Sequence, residues 1–291
     1  MVKIDGFTKL TGIIGYPLSY TLSPLIHNIA FEKLGLNWWY LPLTVKEKDF
    51  PHAIPGLRAL GFVGANVTIP YKEKVVEWVD IMDEEAQMIK AVNTLHFKDG
   101  TVMGYNTDGQ GFLLSLRESG FNPKNNEVLV AGAGGAGKAA VFSLAKAGSK
   151  YIAILNRTPK RARALKKALL EKFPAVEADV ISFEDDLSRI FSRVKLVINA
   201  TPVGTGSEKD EVSLPVDNLT SKHIVYDLIY SPPETPLLRE AKKKGAKTIN
   251  GLEMLLQQAA ASFEIWTGVK PPIKAMRRAL IEEMKTKYRE I

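Results

Sequence analysis

Glu127-Val128-Leu129-Val130-Ala131-Gly132-Ala133-Gly134-Gly135-Ala136-Gly137 is the stretch whose reading decides the fold. Its apolar half reads as a buried strand, and its glycines follow at G-x-G-x-x-G spacing before a helix reaching Ala147. In that context the first glycine allows a tight turn, the second lets backbone approach a pyrophosphate, and the third lets helix and strand pack closely. The helix N-terminus then offers free N–H groups and a positive dipole end to the anion. Two other readings exist for the same residues. One is a plain flexible loop. The other is a P-loop, since Gly132 to Lys138 fits G-x-x-x-x-G-K; but Ala139 stands where a Ser or Thr hydroxyl should ligate Mg²⁺, which argues against it.

The next strand, Tyr151 to Leu155, runs into Asn156-Arg157-Thr158, with Arg161 one helical turn on. An NAD-binding chain usually places an acid here to accept from the ribose 2′-OH. Two guanidiniums instead suit a 2′-phosphate, which they can grip as bidentate donors. The cofactor expected is therefore NADP, unless both arginines are only surface residues.

Working outward, strands and helices alternate along the 291 residues. Strands are expected at Leu10 to Gly15, Trp38 to Val45, Phe62 to Thr68, Leu196 to Asn199, Ile224 to Leu228 and Lys247 to Ile249. Helices are expected at Pro24 to Leu34 with Ser23 as N-cap, His52 to Leu60, after Pro70, Gly109 to Ser119 with a Thr107/Gln110 capping box, Pro159 to Phe173, Leu252 to Trp266 capped by Asn250, and from Ile273. Lys98-Asp99-Gly100 marks a hairpin between Ala91–Phe97 and Val102–Tyr105. This alternation predicts an α/β fold with parallel sheets covered on both faces.

Composition narrows the function. Cysteine is absent, and the four histidines, His27, His52, His96 and His223, include no pair at ligand spacing, so no metal is expected. The net charge of +7 is spread over separate helical segments, which suits small anions better than nucleic acid. No apolar run is long enough to span a membrane and the N-terminus lacks a signal-like stretch, so a cytoplasmic location is expected.

Three polar clusters sit beyond strand ends, where α/β folds bind ligands: Ser19 to Pro24, Asn66 to Lys72, and Asn106 to Gly109. Lys72 falls early in the helix expected after Pro70. That positive end is unfavourable for a structural lysine, and its field would ease deprotonation. Asp108, at a helix start, could be a cap, and Lys72 a surface lysine; as a pair beside a nicotinamide they could move the proton that accompanies hydride transfer.

With these residues in view, the chain resembles the shikimate dehydrogenases over nearly its whole length. The matching stretches are Gly15 to Leu18, Ser23-Pro24, His27-Asn28, Gly64 to Pro70 with Lys72, Ala91 to Thr94, and Gly104 to Gly109. The Gly-rich turn, Asn156 to Thr158, Asn199 to Pro202, Tyr226 to Tyr230, Gly251 to Leu255 and Gln257 to Ala259 complete the series. The resemblance implies a substrate-binding catalytic domain of residues 1–108 plus 251–291 and a doubly wound Rossmann domain of residues 109–250, facing one another across a cleft. It implies NADPH-dependent reduction of 3-dehydroshikimate to shikimate, with Lys72 and Asp108 as the proton-transfer pair. Thr21, Ser23 and Tyr230 would hold the carboxylate, and Thr68, Asn93, Asp108 and Gln258 the ring hydroxyls. The cofactor would meet Gly132, Ala133, Gly134, Gly135, Ala136, Asn156, Arg157, Thr158, Arg161 and Thr201, with Leu228 and Gly251 near the nicotinamide.

Each of these has a blander reading: Asn93 a turn residue, Thr68 a strand end, Tyr230 a loop packer, and Gln258 part of a face with Met254 and Ser262 that could equally be solvated. His27 suits a core position better than a general base. Thr21 departs from the family's usual Ser; its extra methyl is worth roughly 1–3 kcal/mol in a polar pocket and bears on shikimate against quinate. A quinate/shikimate dehydrogenase of relaxed specificity and a non-catalytic NADP sensor are the alternatives. A monomer or homodimer is expected.

Overall fold

The computed structural model describes residues 4–18, 21–205 and 209–288. The chain divides into two units, one holding residues up to Gly111 and from Leu255 onward, the other Phe112–Met254. Among the described residues no helix is long and apolar enough to cross a membrane.

Unit 2 contains the Gly-rich turn and the strand that leads into it. Its strands are β7 (Glu127–Ala131), β8 (Tyr151–Leu155), β9 (Glu177–Ile181), β10 (Leu196–Asn199), β11 (Ile224–Asp227) and β12 (Lys247–Ile249). They form one sheet in the order β12-β11-β10-β7-β8-β9, every pairing parallel. This is the doubly wound order, with its switch point between β7 and β10. Val128, Leu129, Val130 and Ala131 are wholly buried, as a central parallel strand covered on both faces requires. The connecting helices are α5 (Gly135–Lys146), α6 (Pro159–Lys172), α7 (Ser188–Arg193) and α8 (Pro236–Lys243).

Unit 1 carries β1 (Lys9–Gly15), β2 (Trp38–Thr44), β3 (Gly64–Val67), β4 (Ile81–Met82), β5 (Thr94–Lys98) and β6 (Thr101–Tyr105), in the order β2-β1-β3-β5-β6-β4. The sheet is mixed: parallel strands as expected from the alternation, plus the antiparallel hairpin expected at Asp99-Gly100. Asp99 (φ 49) and Gly100 (φ 79) both take positive φ, making the two-residue turn expected of this hairpin. A two-residue turn can only join antiparallel strands, so β5 runs against β6, and it pairs antiparallel with β3 on its other side.

Helices α1 (Ser23–Lys33), α2 (Phe50–Ala59) and α3 (Glu84–Ile89) belong to unit 1, as does α10 (Ile273–Lys287). Two further helices, α4 (Asp108–Glu118) and α9 (Leu252–Thr267), each begin in one unit and end in the other. The end of α9 locks onto the sheet of unit 1: Trp266 Nε1 donates to Leu95 O at 2.8 Å, and a Cβ on Gly64 would lie 2.2 Å from that same nitrogen.

Three local expectations fail. Ser23 is not an N-cap; Leu22 holds that position without a side-chain bond, and Ser23 N–H donates to Thr21 Oγ1 at 3.3 Å. Thr107 does not form a capping box, because its hydroxyl is engaged by Asn93 and Ser262 while Gln110 is exposed. No α-helix follows Pro70; a turn leads into a 3₁₀ segment at Lys74–Trp78. Asn250 does cap α9, accepting from Leu252 N–H at 3.1 Å.

Candidate active site

Lys72 and Asp108 meet, although 36 residues separate them in sequence: Lys72 Nζ lies 2.6 Å from Asp108 Oδ2, with side-chain exposures of 19% and 5%. The lysine is placed by its backbone, whose carbonyl accepts from Val92 N–H at 2.8 Å. Because Lys72 sits in a turn ahead of a 3₁₀ segment, the helix-end field expected to act on it is absent; the nearby carboxylate is what holds the amine. The capping alternative for Asp108 also falls. Both carboxylate oxygens accept from side chains, Oδ2 from Lys72 and Oδ1 from Asn93 Nδ2 at 2.8 Å.

Asn93 is the hub of this group. Its amide nitrogen also reaches Thr107 Oγ1 at 2.9 Å and Gln258 Oε1 at 3.4 Å. Its carbonyl oxygen accepts from Thr94 Oγ1 and Thr107 N–H, both at 2.9 Å. Beneath it lies a buried polar layer that joins Asn66, Thr94 and Ser262. Asn66 Nδ2 donates to Thr94 Oγ1 and Ser262 Oγ, both at 3.0 Å, and Tyr40 Oη donates to Asn66 Oδ1 at 2.7 Å. The face of α9 that carries Gln258 is not solvated, since Ser262 and Met254 are buried. The signal for Ser262 was its i+4 spacing from Gln258 on an otherwise apolar face.

The structure thus joins Lys72, Asn93, Asp108 and Gln258 through direct hydrogen bonds. Thr21 and Thr68 are half-buried and Ser23 is buried in the same unit, but no hydrogen bond among the described residues ties them to this group. Ser19 and Tyr20 lie outside the described residues. Tyr230 belongs to unit 2.

In unit 2 the candidate residues gather at the carboxyl edge of the sheet. Gly132, Ala133, Gly134, Gly135 and Ala136 follow β7, Asn156 to Thr158 follow β8, Thr201 follows β10, Leu228 follows β11, and Gly251 precedes α9. The glycines differ in what they permit. A Cβ on Gly137 would sit 2.0 Å from Gly132 O, and Gly132 itself has φ +108 with Ala200 O 2.7 Å from its Cβ position. Gly134 is the N-cap of α5, has no side-chain cap bond, and has nothing within 4 Å of its Cβ position. That open space beside an uncapped helix start fits a pyrophosphate. Ala133 N–H is already taken by Asn156 Oδ1 at 3.1 Å, which ties the Gly-rich turn to the loop after β8. Arg157 and Arg161 are exposed and form no ion pair among the described residues, as a 2′-phosphate clamp requires. The residues present therefore fit NADP.

Family models match in the same arrangement: "Shikimate dehydrogenase substrate binding domain" over residues 13–95, "Shikimate / quinate 5-dehydrogenase" over 115–213, and "Shikimate 5'-dehydrogenase C-terminal domain" over 251–281. A relative from Carboxydothermus hydrogenoformans named shikimate dehydrogenase (NADP(+)) is 46% identical over 96% of this chain and 99% of its own length. The chain belongs to the shikimate dehydrogenase family. A crystal structure of a shikimate dehydrogenase in complex with NADP⁺ superposes with TM-score 0.89 at 42% identity, covering 97% of this chain and 98% of that one. A Thermus thermophilus shikimate dehydrogenase in complex with NADP(H) and shikimate superposes with TM-score 0.83 at 36% identity, over 94% and 99% of the two chains.

Asp227, in the stretch Tyr226 to Tyr230, is a fully buried carboxylate at the end of β11. Burial pushes its pKa up to about 6, against the pull of hydrogen bonds from Thr235, Ile229 N–H and Asn199. An acid closing an otherwise apolar strand was the signal for it.

Proposed function

We propose that this chain is a cytoplasmic enzyme that catalyses the reversible NADPH-dependent reduction of 3-dehydroshikimate to shikimate in aromatic amino-acid biosynthesis. The observation that carries the reading is the Lys72–Asp108 pair at 2.6 Å, held by Asn93, in a chain of this family. Residues 1–108 with 251–291 form the substrate half, and residues 109–250 the NADP half. Thr21, Ser23 and Tyr230 take the substrate carboxylate; Thr68, Asn93, Asp108 and Gln258 orient its hydroxyls. Gly132 to Ala136 hold the pyrophosphate, Asn156, Arg157, Thr158 and Arg161 the 2′-phosphate end, and Thr201, Leu228 and Gly251 the nicotinamide end.

When bound, NADPH supplies a hydride to the carbonyl carbon. Lys72, as the ammonium, gives one proton to the carbonyl oxygen and becomes the neutral amine; in the reverse direction the amine takes the proton back. Asp108 Oδ2 keeps the ammonium in place, and Asn93 holds the other carboxylate oxygen so that the pair cannot swing apart. With 19% of its side chain exposed, Lys72 can regain its proton from water.

The test is a steady-state comparison of shikimate with quinate, each with NADP⁺ and NAD⁺, on wild type and Lys72→Ala. The expected result is turnover of shikimate with NADP⁺ and a loss of about 10²-fold or more in kcat for the variant. Turnover within about threefold of wild type would remove Lys72 from the reaction.

A further inference from the structure

The buried carboxylate of Asp227 takes no part in the proton transfer described above, yet its bonds converge from three segments. Oδ1 accepts from Asn199 Nδ2 at 2.9 Å and from Ile229 N–H at 3.1 Å, and Oδ2 accepts from Thr235 Oγ1 at 2.6 Å. Asn199 passes the restraint on: its Oδ1 accepts from Thr201 N–H at 3.0 Å and Thr201 Oγ1 at 2.7 Å, and its backbone carbonyl accepts from Leu228 N–H at 2.9 Å. Gly251 closes against the same loop, donating to Ile229 O at 2.9 Å, with Leu228 O 2.0 Å from the position a Cβ would take. One carboxylate therefore restrains the loops after β10 and β11 and the start of α8.

We infer that Asp227 is a positioning residue: through Asn199 and Ile229 it holds Thr201, Leu228 and Gly251 in the arrangement that receives the nicotinamide end of the cofactor. It sets nucleotide affinity without touching the reacting atoms. The inference rests on the NADP reading of unit 2. Its chemistry separates two substitutions. In Asp227→Asn the amide oxygen can still accept from Asn199 and Ile229, and the new NH₂ can donate to Thr235, whose hydroxyl turns its proton elsewhere. In Asp227→Ala the buried Asn199 amide and the buried Thr235 hydroxyl lose their acceptor, as does the half-buried Ile229 N–H, the buried losses being the costly ones.

The experiment measures NADPH binding by nicotinamide fluorescence, the KM for shikimate, and amide hydrogen exchange in the cofactor-free protein. Asp227→Ala should raise the NADPH Kd about tenfold or more while the shikimate KM stays within about twofold, and Asp227→Asn should stay within about threefold of wild type. In cofactor-free protein, Thr201 and Ile229 should exchange about tenfold faster in Asp227→Ala than in Asp227→Asn, with Val128 to Ala131 unchanged. Should Asp227→Ala not fold, Asn199→Ala, which cuts the relay to Thr201 but leaves the carboxylate two donors, must show the same split between NADPH and shikimate. Wild-type affinity for NADPH in the folded alanine variant, or a parallel rise in Kd and shikimate KM, overturns the inference. A wild-type protein that binds no NADPH overturns the functional reading instead, and the exchange rates still report whether Asp227 holds the two loops.

Discussion

Lys72 keeps its partner because Asp108 has no competing use for its carboxylate. Asn93 occupies one oxygen, and the backbone N–H of Asp108 is satisfied by Asn106 Oδ1 at 3.1 Å. His27 shows the opposite case, a polar side chain with nothing polar to meet. It is wholly buried, its ring stacks on Tyr40 at 4.3 Å, and neither ring nitrogen has a partner. Burial lowers its pKa from 6.5 to about 3. The unfolded chain therefore takes up a proton below about pH 6.5 that the folded chain refuses, so this residue's support for the fold is complete above that pH. It drains away as pH falls toward 3, by up to about 1.4 kcal/mol per pH unit. The stability of His27→Phe relative to wild type should rise between pH 7 and pH 5 in thermal melts; a difference independent of pH would refute this. At the cofactor end, replacing Arg157 and Arg161 together by Ala should cut the preference for NADPH over NADH by about tenfold or more, since a charged hydrogen bond contributes roughly 1.5–3 kcal/mol. Comparing kcat/KM for the two cofactors checks it, and an unchanged ratio would leave the arginines as surface residues.

At the scale of elements, the Gly-rich turn separates folding from binding. Gly137→Ala forces a Cβ to within 2.0 Å of Gly132 O and should destabilise the protein by roughly 1–3 kcal/mol, read from denaturant unfolding. Gly134→Ala meets no neighbour of that kind within 4 Å, so its unfolding midpoint should stay much nearer wild type, with only the small loss of an N-cap glycine. Its KM for NADPH should nevertheless rise about tenfold, equivalent to about 1.4 kcal/mol of lost binding. If both variants were equally destabilised, the assignment of Gly134 to the phosphates would fail. The segment after Pro70 went the other way. A helix was expected there, but the residues that flank Lys74–Trp78 are tied to the sheet: Val92 N–H bonds to Lys72 O, and Asp80 N–H to Val102 O. Those long-range partners outweigh a weak local propensity.

At the scale of the molecule, unit 1 is built from two distant stretches of chain. Phe263 and Trp266 of α9 are buried in it, and Ser262 and Gln258 supply polar partners to Asn66 and Asn93. Fully burying a side chain such as Phe contributes roughly 1.5–3 kcal/mol, so a fragment ending at Gly111 lacks several such terms. It should show no cooperative unfolding transition, whereas adding residues 255–291 in trans should restore one. A fragment that unfolds cooperatively alone would show that the C-terminal helices are dispensable to unit 1.

Much of this was legible beforehand. The strand, turn and helix at Glu127 to Ala147, the hairpin at Asp99-Gly100 and the Asn250 cap are set by local chemistry: glycines where backbone must come close or take positive φ, an amide where a helix starts. Lys72 and Asp108 stand out by helix-start arguments, and they do meet although no helix starts at Lys72; Arg157 and Arg161 stand out because they replace the acid usual at that strand end. What the chain could not reveal by itself depends on partners far away in sequence. The antiparallel place of β5, the turn in place of a helix at Lys72, the buried layer of Asn66, Thr94 and Ser262, and the convergence on Asp227 each join segments through hydrogen bonds no local pattern specifies. Buried polar groups must be paired, and only the tertiary structure decides with whom.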